Sequence, residues 1–452
     1  MEFKSVNPYN GNLINKHQAH SSDEVKSILE KSQIAFNSWR IVPIAERAKL
    51  MIKAGEILRE NVETYAKMIT LEMGKPISES RGEVNKCALA CDYYAKNTAA
   101  FLADEIIETD ASKSFVKHEP IGPILAIMPW NFPFWQVFRF AAPSLMAGNT
   151  GVLKHASNVF GCAKMIEEIF LKAGFPNGVF QNLFVDHDET ENIIANDAIK
   201  AVTLTGSERA GSAVASLAGK YLKKSLMELG GNNAFIVWKD ANIDEVVKTA
   251  ITARMMNCGQ SCIAAKRFIL VDEIYDEFVS KFLKEVEKLK AGDTMDDSTK
   301  IGTLAREDLA DQLQAQVQQS IEAGATLLAG GRQKGSFHEP TVLGNVKPGM
   351  PAFDEETFGP LAAMIRAKDL DEAFELSENS KYGLGVTVCT TNIDLALQMA
   401  DRVSDGAYFI NELVKSDPRL PFGGTKRSGY GRELAKDGMM EFINRKTIYV
   451  KA

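Results

Sequence analysis

The sequence predicts an α/β protein built as two parallel-sheet lobes with an extended arm. Three observations lead there. Short apolar runs alternate with helical patterns from Gly151 to Trp238, the pace of βαβ units. A second strand-and-helix series runs from Ile243 through the Gly-rich PFGGTKRSGYG near the C-terminus. Extended runs flank Pro120 and Gly122, and the last residues, KTIYVKA, read as a strand.

The first hundred residues read as helical. Ser21 to Arg40 opens on a Ser N-cap signal and carries Val25, Ile28, Leu29 and Phe36 at helical spacing. Ile44 to Asn61, Val62 to Leu71 and Val84 to Phe101 continue the pattern. Next come GVLKH, a helix from Val159 to Ala173, VFQNLFV, a helix from Glu189, AVTLT, a helix from Glu208 to Lys220, and AFIVW. The second series holds a helix from Ile243 to Met256, a strand from Lys266 to Val271 and a helix from Ile274 to Leu289. After Gly-rich punctuation at 322–335, the chain reads from Asp371 as helix, the strand GVTVCTT, and helix.

Composition narrows the function classes. The 452 residues suggest two or three domains at about 150 residues each. Charged residues make up 25% and hydrophobic residues 45%, which are globular values. Net charge is −7, so general nucleic-acid binding is not expected. The most apolar run, Ile121 to Trp130, is too short to span a membrane and holds two prolines. The N-terminus carries no secretory pattern, and six scattered cysteines do not form a disulfide framework, so a reduced cytoplasmic setting is expected. No HExxH, CxxC or paired-His spacing appears, so no metal site is expected.

Four segments carry candidate chemistry. No GxGxxG follows a strand, but Thr205-Gly206-Ser207 stands between a strand and a helix, where backbone N–H groups can meet a phosphate. Taken alone, it is an ordinary helix cap. Cys258 and Cys262 flank a Gly turn at a helix-to-strand junction; Cys262 there could be an activated nucleophile, a buried small residue, or half of a redox pair with Cys258. Glu228, at the end of the apolar run SLMELGG, is either a desolvated general base or a salt-bridged structural residue. Asn131 is held between prolines and aromatics in PWNFP, which suits an oxyanion donor as well as a core loop. Arg139 follows in an apolar segment, either paired with a structural Glu or able to grip a substrate carboxylate bidentately.

Together, PWNFP, GVLK, TGS, ELGGN, GQSC, EETFGP and PFGGTKRSGYGRE, in this order, resemble the signature series of the aldehyde dehydrogenase superfamily over nearly the whole chain. LKHASN, SDPRLPFGG and Arg139 resemble its bacterial succinate-semialdehyde dehydrogenases. The resemblance implies an aldehyde-dehydrogenase-like α/β fold of two Rossmann-like lobes. It divides into a cofactor-binding domain at 1–101 and 121–229, a catalytic domain at 230–425, and an oligomerisation arm at 102–120 and 436–452. A homodimer or homotetramer follows by analogy.

The resemblance also implies roles. Cys262 is the nucleophile that forms a thiohemiacetal and then a thioester; Asn131 and the Cys262 N–H hold the oxyanion; Glu228 activates the hydrolytic water. Glu228 also argues against release of the acyl group to coenzyme A. Lys154, Gly206, Ser207, Glu356, Phe358 and Trp130 match cofactor-binding positions. Ser157 stands where NAD-selective relatives often carry Glu, so NADP is expected to be accepted, and preferred in the stronger form of the expectation, with NAD as the alternative. Arg139 matches a substrate-carboxylate anchor. A second Arg of that clamp is absent, because Met256 stands in its place, and Ser261 and Ser416 to Arg419 are the candidates to replace it. The expected substrate is a short ω-carboxylate aldehyde, succinate semialdehyde. Broader aliphatic or glutarate semialdehyde activity is the alternative, and a non-catalytic binding protein would have lost Cys262, Glu228 or Asn131.

Overall fold

The computed structural model describes residues 1–451. A six-stranded sheet has the spatial order Gly429–Tyr430, Lys224–Glu228, Ala201–Thr205, Pro123–Met128, Thr150–His155, Phe180–Asn182. All its neighbours are parallel except the first pair, where Gly429–Tyr430 runs antiparallel to the end of Lys224–Glu228. The chain steps one way from Pro123–Met128 to two strands and then returns to its other side. The topological switch therefore lies beside the C-terminal ends of Pro123–Met128 and Ala201–Thr205, where ligands bind open α/β sheets.

Strand alternation explains the core around this sheet. Ile124, Ala126 and Met128 face a core formed with the N-terminal helices, while Leu125 joins Val152, Val202 and Leu204 on the opposite face. A seven-stranded sheet has the order Thr326–Ala329, Thr341–Gly344, Leu361–Ala367, Ala265–Val271, Asn233–Val237, Val386–Cys389, Tyr408–Ile410. Its central strand Ala265–Val271 is buried at every residue, as a doubly covered parallel strand should be. Lys113–Pro120 pairs along its whole length with Ile443–Val450, and Glu105–Ile106 adds a short third strand.

Several local readings needed correction. The first hundred residues are not all helical: Glu2–Val6 and Leu13–Gln18 form an antiparallel hairpin. The helix expected from Val84 begins at Ile77, straight after Pro76, where the fixed proline φ suits a helix start. VFQNLFV contributes only Phe180–Asn182 as strand, and Glu307–Glu322 adds a further helix. The capping box at Ser21 and Glu24 opens the helix Ser22–Trp39 as expected. Among the described residues no helix is long and apolar enough to cross a membrane.

Three glutamates, Glu72 and Glu83 buried and Glu79 partly so, tie the N-terminal helices to two helix starts and to the turn before Cys262. Glu72 accepts from the N–H groups of Gly161 and Cys162, Glu79 from Asn257, and Glu83 from Phe134 and Trp135. Each carboxylate satisfies N–H groups that helix starts or turns leave unpaired.

Candidate active site

Cys262 sits between the helix Ile243–Met255 and the strand Ala265–Val271, on a turn with unusual backbone geometry. Asn257, Cys258 and Gly259 are consecutive residues with φ of 56°, 54° and 72°. A left-handed Asn or Cys costs about 1–3 kcal/mol, so the surroundings must enforce it. They do. Glu79 Oε2 accepts from the Asn257 N–H at 2.7 Å, and Asn257 Nδ2 donates to the carbonyls of Asn131 and Gln260, each at 2.9 Å. Gly259 admits no side chain, because a Cβ there would lie 2.3 Å from the Gly359 carbonyl oxygen. Of the six cysteines, five are buried and Cys262 alone is partly exposed.

Asn131 projects from the loop after Met128, at the switch point of the first sheet. Its Nδ2 donates to the Gln260 carbonyl at 3.0 Å, leaving its second hydrogen for an oxyanion. His155 fixes the same loop. It is buried, its Nε2 lies 2.9 Å from the Pro133 carbonyl, and its Nδ1 accepts from the Ala156 N–H at 2.9 Å. Burial pushes its pKa down to about 4, so it braces the loop as a neutral ring. Sequence reasoning did not single out His155.

Glu228 closes the strand Lys224–Glu228, and its backbone carbonyl accepts from the Gly206 N–H at 2.9 Å. Its Oε1 is buried without a hydrogen-bond partner among the described residues. Burial raises its pKa well above the usual carboxylate range, and the neighbouring Glu433 adds to this, while Arg139 and Arg432 oppose it. Without a hydrogen-bond partner on Oε1, the ionised carboxylate is a stronger base than a solvated one.

Arg139 is paired with a glutamate, one of the two readings open to it. Its Nε forms an ion pair with Glu433, its Nη2 donates to Thr205 Oγ1 at 3.2 Å, and its guanidinium lies over the Phe422 ring. Nε and one Nη2 hydrogen are used in this way, while Nη1 donates no hydrogen bond among the described residues. The arginine is neutralised by a glutamate that the linear sequence places far away. Arg419 is likewise spent on Asp417 and is exposed. Ser261 is buried beside the nucleophile, and its carbonyl accepts from Lys266.

Lys266 is a site residue the sequence did not flag. Its buried ammonium donates to the carbonyls of Ser261 and Cys262 at 2.9 and 2.8 Å and lies 3.3 Å from Glu356 Oε1. Burial pushes the Cys262 thiol up to about 11, while Arg139 and Lys266 pull it back and Glu356 and Glu228 add to the rise. The thiol therefore feels four of the site's charges at once. Cys258 takes a different environment: its Sγ accepts from the Gly302 N–H at 3.2 Å in the second lobe's core, whereas Cys262 packs against the first lobe's core. The arrangement does not present the two thiols as a pair.

The remaining predicted residues gather on the cofactor side. Glu356 Oε1 accepts from the Gly231 N–H at 2.9 Å, and a Cβ on Gly230 would lie 2.3 Å from Glu356 Oε2. Trp130 and Phe358 meet edge to face with ring centroids 5.7 Å apart. Ser207 caps the helix Glu208–Lys220 through its own hydroxyl, and Gly206 precedes it. Lys154 is 6% exposed and forms no ion pair among the described residues; burial lowers its pKa, and Asp186 works against that. Ser157 is exposed nearby, at the start of a short 3₁₀ turn. A buried, unpaired lysine, an exposed hydroxyl and a helix N-terminus at the switch point fit a dinucleotide carrying phosphates.

Comparison with known proteins agrees with this geometry. The family model described as "Aldehyde dehydrogenase family" matches residues 1–448. A probable succinate-semialdehyde dehydrogenase [NADP(+)] of Synechocystis sp. is 48% identical over 453 residues, covering 100% of both chains. The succinate semialdehyde dehydrogenase [NAD(P)+] Sad of Escherichia coli is 44% identical, covering 98% of this chain and 97% of that one. The crystal structure of succinic semialdehyde dehydrogenase from Streptococcus pyogenes with NADP+ superposes with a TM-score of 0.97 at 36% identity, covering 100% of both chains. The match runs from the N-terminal hairpin to the last strand, and the chain belongs to the aldehyde dehydrogenase family.

Proposed function

We propose that this chain oxidises succinate semialdehyde to succinate, with NADP accepted as the hydride acceptor and NAD as the alternative. The observation that carries the reading is the partly exposed Cys262 on its enforced turn, with Asn131 bonded to that turn and an unpaired Glu228 acting on the thiol. The relatives' names supply the substrate and cofactor class.

Lys154, Ser157, Gly206 and Ser207 would hold the adenosine and phosphate portion of the cofactor, and Glu356, Phe358 and Trp130 its nicotinamide end. Bound there, the cofactor supplies a hydride acceptor. The residues do the rest. The Cys262 thiol loses its proton to solvent, and the thiolate sulfur attacks the aldehyde carbon, giving a thiohemiacetal whose oxyanion takes hydrogen bonds from Asn131 Nδ2 and the Cys262 N–H. Loss of hydride leaves the acyl group on Cys262 as a thioester. Glu228 takes a proton from water as its oxygen attacks the thioester carbonyl, and the carbon–sulfur bond breaks to give the free acid and the thiol.

A panel of succinate semialdehyde, glutarate semialdehyde and butanal with both cofactors tests the reading. Highest kcat/KM for succinate semialdehyde with NADP is expected. Highest kcat/KM for butanal overturns the substrate assignment.

The same reading gives the enzyme a cytoplasmic setting and a homodimeric or homotetrameric state through 102–120 and 436–452. Ile443–Val450 is an eight-residue edge strand, and Ile106, Tyr449 and Val450 of this small sheet are exposed, so a second copy would cover both. A monomeric mass by light scattering contradicts this.

A further inference from the structure

A second cation stands near Arg139 that no carboxylate among the described residues neutralises. The helix Ile77–Phe101 runs beside the start of the helix Trp135–Ala147, and Glu83 marks the seam by accepting from the Phe134 and Trp135 N–H groups at 2.8 and 3.0 Å. One turn further along the first helix, Lys86 places its ammonium 4.1 Å from the centre of a Trp135 ring. The same ammonium donates to Ser416 Oγ at 2.8 Å, and Trp135 Nε1 donates to that oxygen at 3.0 Å. Arg139 follows Trp135 by one helical turn.

The charges around Lys86 are spoken for. Glu83 is held by Lys75 at 2.6 Å and by two backbone N–H groups. Asp417 is held by Arg419 at 2.8 and 2.6 Å. Glu433 is paired with Arg139. Ser416 Oγ already accepts from two donors, so its hydroxyl proton is a donor in turn. Lys86 has further ammonium hydrogens to give. Two neighbouring cations, one of them unpaired, and a hydroxyl with a proton to offer form a donor set that lacks an acceptor.

We propose that Lys86, with Ser416, is the anchor for the carboxylate of the semialdehyde substrate. This rests on the semialdehyde reading above and fills the place of the second arginine of the clamp, where Met256 stands. Trp135 holds both members of this anchor, Lys86 through its ring and Ser416 through Nε1. Arg139 contributes a nearby positive charge while its own bonds stay with Glu433 and Thr205. Burial and the Arg139 charge push the Lys86 pKa down to about 8, and an arriving carboxylate would relieve both.

The test compares succinate semialdehyde with butanal, the uncharged aldehyde of the same length, in the parent enzyme and in Lys86→Met, Lys86→Arg and Ser416→Ala. Lys86→Met should raise KM for succinate semialdehyde about tenfold more than KM for butanal, the scale of one charge-assisted hydrogen bond, with the loss in KM rather than kcat. Lys86→Arg should recover most of it, and Ser416→Ala should move the same ratio in the same direction by less. Equal changes for the two aldehydes, or none, overturn the anchor. If Lys86→Met does not fold, an unchanged ratio in Ser416→Ala overturns it. A parent enzyme that prefers butanal instead fails the semialdehyde reading before any variant is measured.

Discussion

Lys266 donates its ammonium to the carbonyl oxygen of Cys262 at 2.8 Å, and so couples the strand Ala265–Val271 to the loop of the nucleophile. The same ammonium lies 3.3 Å from Glu356, so one buried cation braces the nucleophile's backbone and orients a carboxylate of the cofactor side. Its charge also lowers the pKa of the thiol, against the burial that pushes the thiol up to about 11.

Removing that charge should show in thiol reactivity. A raised pKa means that the reactive thiolate forms only as pH climbs; at pH 8 a group with pKa near 11 is about one part in a thousand ionised. Alkylation of Cys262 by iodoacetamide in the cofactor-free enzyme should therefore keep accelerating beyond pH 9. In Lys266→Met the curve should shift further to alkaline pH, and kcat should fall by about tenfold or more as the braced backbone loosens. A plateau near pH 7 in the parent, or an unshifted curve in the variant, contradicts the electrostatic account.

The Arg139–Glu433 pair predicts a stability pattern. Both side chains are buried, at 2% and 5% side-chain exposure, so deleting one leaves the other charged and without its partner. Arg139→Met should cost about 3–5 kcal/mol, and the double variant Arg139→Met/Glu433→Met should recover a large part of it. Thermal melting of the single and double variants checks this. Equal losses in Tm for the single and double variants would contradict a mutually neutralising pair.

Cofactor choice should respond to Ser157. The exposed serine and the unpaired Lys154 offer donors to a 2′-phosphate, whereas a carboxylate at 157 would repel it. Ser157→Glu should lower the NADP/NAD ratio of kcat/KM by about a hundredfold, nearly 3 kcal/mol. An unchanged ratio sinks the assignment.

Gly230 tests the seat of Glu356. A methyl group there would meet Glu356 Oε2 at 2.3 Å, so Gly230→Ala should push the carboxylate away from the Gly231 N–H. KM for the cofactor should rise by at least about fivefold, the loss of one hydrogen bond to a charged group, while the thermal midpoint changes little. A large fall in Tm with unaltered cofactor KM would assign Gly230 to packing alone.

The sequence exposed the parts of this site that are local. The apolar runs AVTLT and SLMELGG marked the strands that end at Thr205 and Glu228, and the Gly turn before Cys262 marked a junction between helix and strand. Partners contributed by distant segments left no local pattern. Glu433 for Arg139, Ser416 for Lys86, Glu79 for the Asn257 turn and Glu356 for Lys266 are brought together only by the fold. The N-terminal hairpin escaped for another reason: Glu2–Val6 and Leu13–Gln18 are largely exposed and polar, so neither shows the buried alternation that marks a strand.

The most direct test of the mechanism is rapid mixing of the Glu228→Gln variant with NADP and excess succinate semialdehyde. If Glu228 activates the hydrolytic water, the variant should give a burst of NADPH stoichiometric with enzyme, then turnover at about 1% of the parent rate or less. Mass spectrometry of the quenched sample should find a succinyl group on Cys262. Steady turnover at the parent rate, or a succinyl group on a residue other than Cys262, would contradict the account.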